Sequence, residues 1–314
     1  MHSPLIEIFY PTYKNVETFE FVLRSCLDQD YRNIRVHVYD NAWPENYLLT
    51  AELIDKIGDK RVVYHKNSVN LGALINYSQI FSEMKKTSLS ICLSADIGFT
   101  SGGLSLMYEA LLRTGASVVH PSSVSYRHQD ILNNRDELYE LTHRNVVEGF
   151  RGESEVVQPG IEIVQEYFSE NNISGEYNNF SFFGALIVSP VLHAVGTNFL
   201  NYRYHGVEHY LSMDLAINSH FVTRLSAPCR LAVIGSPRIG GTERPTGFYT
   251  RLEPIAACQS FLKAKYMALR EYYGDMEPFF LSQEAKCEFF RNNYDGFTVE
   301  VESLLEASKK RDFL

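Results

Sequence analysis

The 314-residue chain is poor in cysteine, has a single tryptophan and contains no long apolar run. Its five cysteines are odd in number and far apart, which argues against a disulfide framework and against a metal site of paired cysteines. A reducing compartment fits this pattern best. No apolar run reaches the roughly 18 residues of a membrane-spanning helix, and the N-terminus lacks the basic-then-apolar order of a signal peptide. We therefore expect a cytoplasmic protein, and peripheral association with the inner face of the membrane is compatible with that location.

Positive charge is scarce as well. Lys and Arg number 29 against 38 Asp and Glu, so the formal net charge is −9. A nucleic-acid backbone requires a clustered basic surface, and the nearest approach to one is the run from Lys309 to Arg311, which is typical of a solvated helix end. The composition thus argues against nucleic acid as the main partner. Apolar residues make up 45% of the chain and aromatic residues 13%, which is typical of a folded globular protein.

The first 120 residues alternate between strand and helix patterns. We predict strands at Leu5–Tyr10, Ile34–Tyr39, Arg61–His65, Leu89–Leu93 and Ala116–His120. We predict helices at Val16–Leu27, Leu48–Ile57, Ala73–Met84 and Leu104–Leu112. This alternation indicates an α/β fold with a mostly parallel central sheet flanked by helices. Ligands of such sheets bind beyond the carboxyl ends of the strands.

The pattern changes after the fifth predicted strand. Further regular segments are predicted at Phe180–Val188 (strand), Val207–Ser219 (helix) and Arg230–Ile234 (strand). We therefore predict one domain over residues 1–250 and a C-terminal helical extension over 251–314. The domain would comprise a nucleotide-binding half at 1–120, a helical insertion at 121–180 and an acceptor half at 181–250.

Polar residues follow the first two predicted strands. Pro11, Thr12 and Tyr13 end the first strand, and Asp40 and Asn41 end the second. Two such turns facing one crevice can hold a nucleobase, because a carboxylate accepts a hydrogen bond from an imide N–H and backbone groups meet the base carbonyls. Taken singly, these residues are more typical of ordinary turns than of a binding site.

Two further polar segments follow later strands. Asn70, Gly72 and Asn76 surround a predicted helix start, where glycine allows the backbone to approach a ligand. The turn at Ala95 and Asp96 follows an apolar strand, and a carboxylate there can ligate a hard divalent cation whose other ligands are diphosphate oxygens. The competing interpretation is that Asp96 only caps the turn.

An acidic residue also begins the predicted helix of the acceptor half. Glu208 lies in its first turn and could accept the proton of an attacking hydroxyl. A carboxylate at that position also stabilises the helix dipole. The two interpretations are compatible.

Taken in order, these segments resemble family 2 glycosyltransferases of the GT-A fold, over Leu5 to about Leu112 and again over Phe182 to Leu215. The opening PTYKN resembles the family's Pro-Thr-Tyr-Asn turn, and YDNAW resembles its acidic turn after the second strand. NLGALIN is similar to its Asn-x-Gly segment, and LSAD falls where the Asp-x-Asp motif belongs, with serine in place of the first acid. FFGALIVS and GVEHYLSMDL resemble the strand and helix of the acceptor region.

The resemblance implies a role for each matched residue. The base contact falls on Asp40 with Thr12 beside it, the metal ligand on Asp96, and the catalytic carboxylate on Glu208. It further implies a divalent cation, Mn²⁺ or Mg²⁺, and a nucleotide-sugar donor that is UDP-linked in most of the family. The acceptor would be a saccharide or a lipid-linked saccharide of cell-surface polysaccharide synthesis, and the reaction would invert the anomeric centre.

Two other functions fit parts of the pattern. Loss of the first acid of the metal motif is compatible with a non-catalytic module that binds nucleotide sugars or carbohydrate. A nucleotidyltransferase shares the α/β layout and the metal. Such enzymes usually open with a glycine-rich basic loop, whereas the segment from Pro11 to Phe19 has no glycine and only Lys14, so this alternative ranks low.

Overall fold

The computed structural model describes the chain in segments, which are residues 3–13, 16–41, 47–143, 155–160, 162–163, 180–195, 211–212, 215–216 and 218–234. The chain divides into two compact units, each built from several stretches of sequence. The first comprises Met1–Gln158, Phe182–Phe199 and Ser219–Gly241, and the second comprises Pro159–Ser181, Leu200–Asn218 and Thr242–Leu314. The few described residues of the second unit include the buried side chains of Ile163, Leu211 and Leu215.

The described residues form nine strands of one mixed sheet. These are β1 Ile6–Thr12, β2 Ile34–Asp40, β3 Val62–Lys66, β4 Leu89–Cys92, β5 Ile97–Phe99, β6 Val118–Arg127, β7 Glu155–Pro159, β8 Leu186–Val188 and β9 Phe221–Ile234. Their order across the sheet is β3-β2-β1-β4-β8-β6-β9-β5, and β7 pairs with β9. The half made of β3, β2, β1 and β4 is parallel. In the other half β6 and β9 are parallel, whereas β8 and β5 run antiparallel to their neighbours.

Helices connect the strands and cover the sheet. Those within the described residues are α1 Val16–Leu27, α2 Tyr47–Ile57, α3 Gly72–Met84, α4 Gly103–Thr114, α5 His128–His143 and α6 Ser189–Ala194. Helix α1 illustrates why they form, since Phe19, Val22, Leu23 and Cys26 recur at helical spacing and are fully buried in the main core. Burying each large apolar side chain contributes about 1.5–3 kcal/mol, which is enough to fix the helix on the sheet.

The main core lies on one face of the parallel half-sheet. Ile8, Tyr10, Val36 and Val38 alternate along β1 and β2 and belong to the same buried cluster as α1. The ring of Tyr10 stacks on that of Phe19 with their centroids 5.5 Å apart. Because successive strand residues point to opposite faces, the intervening side chains of these strands lie on the other face of the sheet.

The predicted α/β class and most elements of the first half are confirmed. Strand β1 continues through Pro11 and Thr12, and β5 was not predicted. Strand β6 continues to Arg127, into the stretch assigned to an insertion, and the domain limits stay predictions.

Strand β9 begins nine residues before the predicted Arg230. The small residues and proline around Pro228 interrupt its apolar pattern, and the pairing with β6 shifts register at that point.

Candidate functional site

Thr12 and Asp40 lie side by side at the carboxyl ends of β1 and β2. They are direct partners in the parallel register of these strands, and the backbone N–H of Asn41 donates to the carbonyl of Thr12 at 3.1 Å. Both side chains are buried, with 4% and 3% of their surfaces exposed. Pro11 precedes Thr12 within β1, and Tyr13 follows it in a bend. The structure therefore brings the first two predicted turns together at one end of the sheet.

The carboxylate of Asp40 has a hydrogen-bond donor that sequence reasoning missed. The hydroxyl of Tyr64 in β3 donates to Asp40 Oδ2 at 2.7 Å. Burial raises the pKa of Tyr64 well above its usual value, and the neighbouring Asp40 raises it further. The phenol therefore stays protonated and remains a donor at all physiological pH values. Alternation within β3 sets the face of Tyr64, but its place next to Asp40 depends on the register between β2 and β3.

A network of asparagine side chains connects this end of β2 to the start of α3. Asn41 Nδ2 donates to Asn70 Oδ1 at 2.9 Å, and Asn41 Oδ1 accepts from the backbone N–H of Leu71 at 2.9 Å. Asn67 Nδ2 donates both to Asn41 Oδ1 at 3.2 Å and to Asn76 Oδ1 at 3.1 Å. The predicted residues Asn70 and Asn76 are therefore held beside Asp40. Asn41 belongs to the turn predicted at the end of the second strand, whereas Asn67 was not among the predicted site residues.

The network fixes the loop that leads into α3. Helix α3 begins at Gly72, one residue after the backbone N–H that Asn41 holds. The backbone N–H of Asn67 also donates to the carbonyl of Asp40 at 2.9 Å, which extends the pairing of β2 with β3. The N-terminus of α3 is thus positioned at the same edge of the sheet as Thr12 and Asp40.

The predicted metal ligand Asp96 lies in a turn between β4 and β5. The backbone N–H of Ile97 donates to the carbonyl of Ser94 at 3.2 Å, and Ser94 Oγ donates to Asp96 Oδ1 at 2.5 Å. The hydroxyl of Tyr10 donates to the carbonyl of Ala95 at 3.0 Å, which ties this turn to β1 two residues before Thr12. All three predicted turns therefore meet at one end of the parallel strands.

The segment after Asp96 is packed very closely against α1. A Cβ atom added at Gly98 would lie 2.2 Å from Ser25 Oγ, so only glycine fits at this position without displacement. Ser25 Oγ accepts from the backbone N–H of Phe99 at 3.2 Å and donates to the carbonyl of Val22 at 2.7 Å. This contact fixes β5, and with it the C-terminal side of the Asp96 turn.

The carboxylate of Asp96 fits a cation that is shared with a substrate better than a cation held by protein alone. Among the described residues, no group of three or more His, Cys, Asp or Glu side chains is arranged to hold a metal ion. A small divalent cation commonly keeps several waters and binds one or two carboxylates together with substrate phosphates. The partly exposed Asp96, whose Oδ1 is held by Ser94, meets that requirement.

One predicted site residue, the catalytic carboxylate Glu208, falls outside the described residues, so its position relative to Asp40 and Asp96 stays a prediction. Helical geometry is described for Leu211, Ser212, Leu215 and Ala216, which agrees with the helix predicted over that stretch.

Comparison with known proteins identifies the family of this chain. Residues 7–173 match the sequence pattern described as Glycosyl transferase family 2, which is more than half of the chain. The chain belongs to this family. The predicted family is therefore confirmed, and the protein is a glycosyltransferase. No curated protein sequence matches it.

Two solved structures show the fold that this glycosyltransferase shares. The Staphylococcus aureus (S. aureus) protein TarS, residues 1–349 in complex with UDP-GlcNAc, is 13% identical with a TM-score of 0.54, covering 98% of this chain and 88% of that one. The mannosyltransferase PcManGT from Pyrobaculum calidifontis, in complex with GDP-Man and Mn²⁺, is 11% identical with a TM-score of 0.50, covering 99% of this chain and 87% of that one. At these identities the likeness establishes the fold.

A polar groove lies on the sheet face opposite the main core. It has a volume of about 860 Å³ between β1–β3 and α3, and its lining includes Glu7, His37, His65 and Glu83. His37 Nε2 lies 3.1 Å from Glu7 Oε1, and His37 Nδ1 lies 3.0 Å from His65 Nε2. Burial lowers the pKa of His65, His37 lowers it further, and Glu83 opposes the shift. The groove thus holds a partly buried ionisable cluster, and its lining reaches Asn67 of the asparagine network.

Within the described residues, no helix combines the length and the apolar character that crossing a membrane requires.

Proposed function

We propose that this glycosyltransferase moves a sugar from a nucleotide-diphospho-sugar, UDP-linked by the family's usual preference, to an acceptor hydroxyl with inversion. The observation that carries the proposal is the meeting of Thr12, Asp40 and the Asp96 turn at one end of the parallel strands. Ligands of open α/β sheets bind at such ends. The complexes of the two fold relatives, with UDP-GlcNAc and with GDP-Man and Mn²⁺, support the same class of donor.

The base would bind between the ends of β1 and β2. The buried carboxylate of Asp40 would accept from the imide N–H of uracil, and Thr12 would line the same pocket. Pro11 and Tyr13 would flank it, and the loop of Asn70 and Gly72 would approach the nucleotide with its backbone, supported by Asn76. The asparagine network would thus hold the loop in a shape that already suits the ligand.

The diphosphate would lie near the turn of Ala95 and Asp96. A Mn²⁺ or Mg²⁺ ion held by Asp96 and by diphosphate oxygens would neutralise charge on the departing nucleoside diphosphate. Asp96 contributes the protein carboxylate, and Ser94 holds one of its oxygens in place. With one protein carboxylate, affinity for the cation would depend strongly on the bound diphosphate.

The transfer itself would be a single in-line displacement. The acceptor oxygen forms a bond to the anomeric carbon as the bond from that carbon to the diphosphate oxygen breaks, and Glu208 takes the hydroxyl proton. General-base assistance of this kind typically contributes about 10²–10⁴-fold in rate. The acceptor would be a saccharide or a lipid-linked saccharide, in the synthesis of a cell-surface polysaccharide or glycan.

One screen tests the proposal. The purified protein is incubated with a panel of UDP-, GDP-, dTDP-, CDP- and ADP-sugars, with Mn²⁺ or with a chelator, and free nucleotide is measured over time. We expect cation-dependent release from one or a few donors, faster with saccharide acceptors. Absence of release and of binding for every donor would refute the proposal.

A second candidate function follows from Ser94, which stands in the place of the first acid of the metal motif. A protein that had lost this acid could bind nucleotide sugars without transferring them. In the same screen such a module would bind a donor in calorimetry but release no nucleotide at any time.

A further inference from the structure

Tyr64 and Asp40 are joined by a side-chain hydrogen bond between neighbouring strands, which strand pairing alone does not require. Asp40 pairs with Lys66 in the parallel register of β2 and β3, so Tyr64, two residues earlier on β3, lies diagonally across on the same face. Its hydroxyl reaches Asp40 Oδ2 at 2.7 Å, a distance typical of a hydrogen bond to a charged acceptor. The contact joins a partly buried phenol to a carboxylate that is 3% exposed.

We infer that Tyr64 is a positioning residue that orients the Asp40 carboxylate toward nucleobases carrying a ring imide N–H. This inference rests on the proposed function, because it assigns the base contact to Asp40. The two oxygens of an ionised carboxylate offer about four acceptor positions. The hydroxyl of Tyr64 occupies one of these positions and restrains the rotation of the group.

The acceptors of Asp40 set the base preference, and Tyr64 sets the direction in which they point. A carboxylate that is locked in rotation presents acceptors, which suit the N3–H of uracil or the N1–H of guanine. Adenine and cytosine carry a ring nitrogen lone pair at the corresponding edge, and a lone pair facing a carboxylate is repelled. Because the phenol stays protonated, Asp40 keeps this orientation throughout the usual range of assay pH.

Removing only the hydroxyl tests the positioning role. Y64F keeps the ring and its packing but leaves Asp40 Oδ2 without this donor. We expect the Kd for UDP, or for GDP if that nucleotide binds more tightly, to rise about tenfold, since a hydrogen bond to a charged group is lost. The kcat at saturating donor should stay within about twofold, because base contacts act at binding rather than in the displacement.

A methylated nucleotide separates positioning from a general loss of structure. N3-methyl-UDP, or N1-methyl-GDP, cannot donate to Asp40, so it should bind weakly and with the same Kd to the native protein and to Y64F. The matched control is Y31F, which removes a similar hydroxyl that donates to the carbonyl of Pro4 at 2.5 Å. Y31F should leave every nucleotide Kd unchanged.

The outcomes distinguish this inference from the proposed function. If the native protein binds no nucleotide, the proposed function fails and the inference fails with it. If the native protein binds UDP or GDP and Y64F binds it equally well, the inference alone is overturned. An equal loss of affinity for the methylated and unmethylated nucleotides in Y64F would also overturn it, because the effect would not pass through the imide contact.

Discussion

Ser94 Oγ donates a hydrogen bond to Asp96 Oδ1 at 2.5 Å, within the turn that joins β4 to β5. The family's usual motif has two acids in these positions, so one carboxylate has been exchanged for a hydroxyl that holds the other. A hydroxyl adds no charge, and it fixes the orientation of the remaining carboxylate. The proposed cation site would therefore have one protein carboxylate, whose orientation is held by Ser94.

We predict that S94A weakens the binding of Mn²⁺ and that S94D strengthens it. The concentration of Mn²⁺ that gives half-maximal UDP binding should rise about three- to tenfold in S94A, because a hydrogen bond to a charged group is lost. It should fall in S94D, which adds a second carboxylate. Calorimetry of UDP at several Mn²⁺ concentrations measures both.

The control for this series is S105A. Ser105 Oγ donates to Asp30 Oδ1 at 2.7 Å in an exposed pair of the same chemistry. S105A should leave the Mn²⁺ dependence unchanged. Identical Mn²⁺ curves for the native protein, S94A and S94D would remove Asp96 from the cation site.

We predict that G98A destabilises the fold by about 1–3 kcal/mol, the usual cost of overpacking a tight core position. The added Cβ would lie 2.2 Å from Ser25 Oγ, and rotation of that side chain would break its bonds to Phe99 and Val22. Urea unfolding measures the change. The double variant S25A/G98A should lose less stability than the sum of the single variants, because the clashing atom is gone, and strict additivity would contradict the packing argument.

Helix α1 could be predicted with its observed limits because the spacing of its apolar residues determines the helix. Phe19, Val22, Leu23 and Cys26 have to face a core, and their spacing allows only a helix. Thr12 and Asp40 could be predicted for a related reason. In a parallel sheet, consecutive strands end at the same edge, so polar residues that follow them meet there.

The contacts around Asp40 could not be predicted in the same way. Tyr64, Asn41 and Asn67 act through contacts between strands and loops, and these depend on register, which no local pattern specifies. Strand β9 was missed in part because its pairing with β6 tolerates a register shift around Pro228. Long-range pairing there outweighs a local sequence that disfavours a strand.

We predict that E208Q loses about 10²–10⁴-fold in kcat while its Kd for the donor stays within about twofold. The amide keeps the size of the side chain but cannot take the acceptor proton. A transfer assay that detects released nucleotide measures kcat. Calorimetry with the donor measures Kd. Unchanged turnover would remove Glu208 from the role of base. Equal losses in kcat and donor affinity would indicate a part in binding instead.

We predict that the free energy of unfolding falls as the pH decreases below about 6.5, the ordinary pKa of histidine. Burial lowers the pKa of His120 well below that value, and Arg230 and Arg224 lower it further. The unfolded chain therefore binds a proton that the folded chain excludes, so stability is constant above this pH and is lost below it. Urea unfolding at several pH values between 5 and 7 measures the slope, which for this one group reaches at most about 1.4 kcal/mol per pH unit.

The pH range in which stability is lost separates the histidines from the carboxyl groups. Arg61 and Arg113 hold the pKa values of Asp59 and Glu155 below their ordinary 3.8 and 4.5, so the stability from these pairs is lost only at still lower pH. His65, whose pKa burial also lowers, adds to the slope in the same window as His120. H120Q should therefore reduce the slope between pH 5 and 6.5 without abolishing it, whatever its effect on stability at pH 7.5. A slope unchanged in H120Q would show that His120 binds its proton equally in the folded and unfolded chains, contrary to the effect of its burial near two arginines.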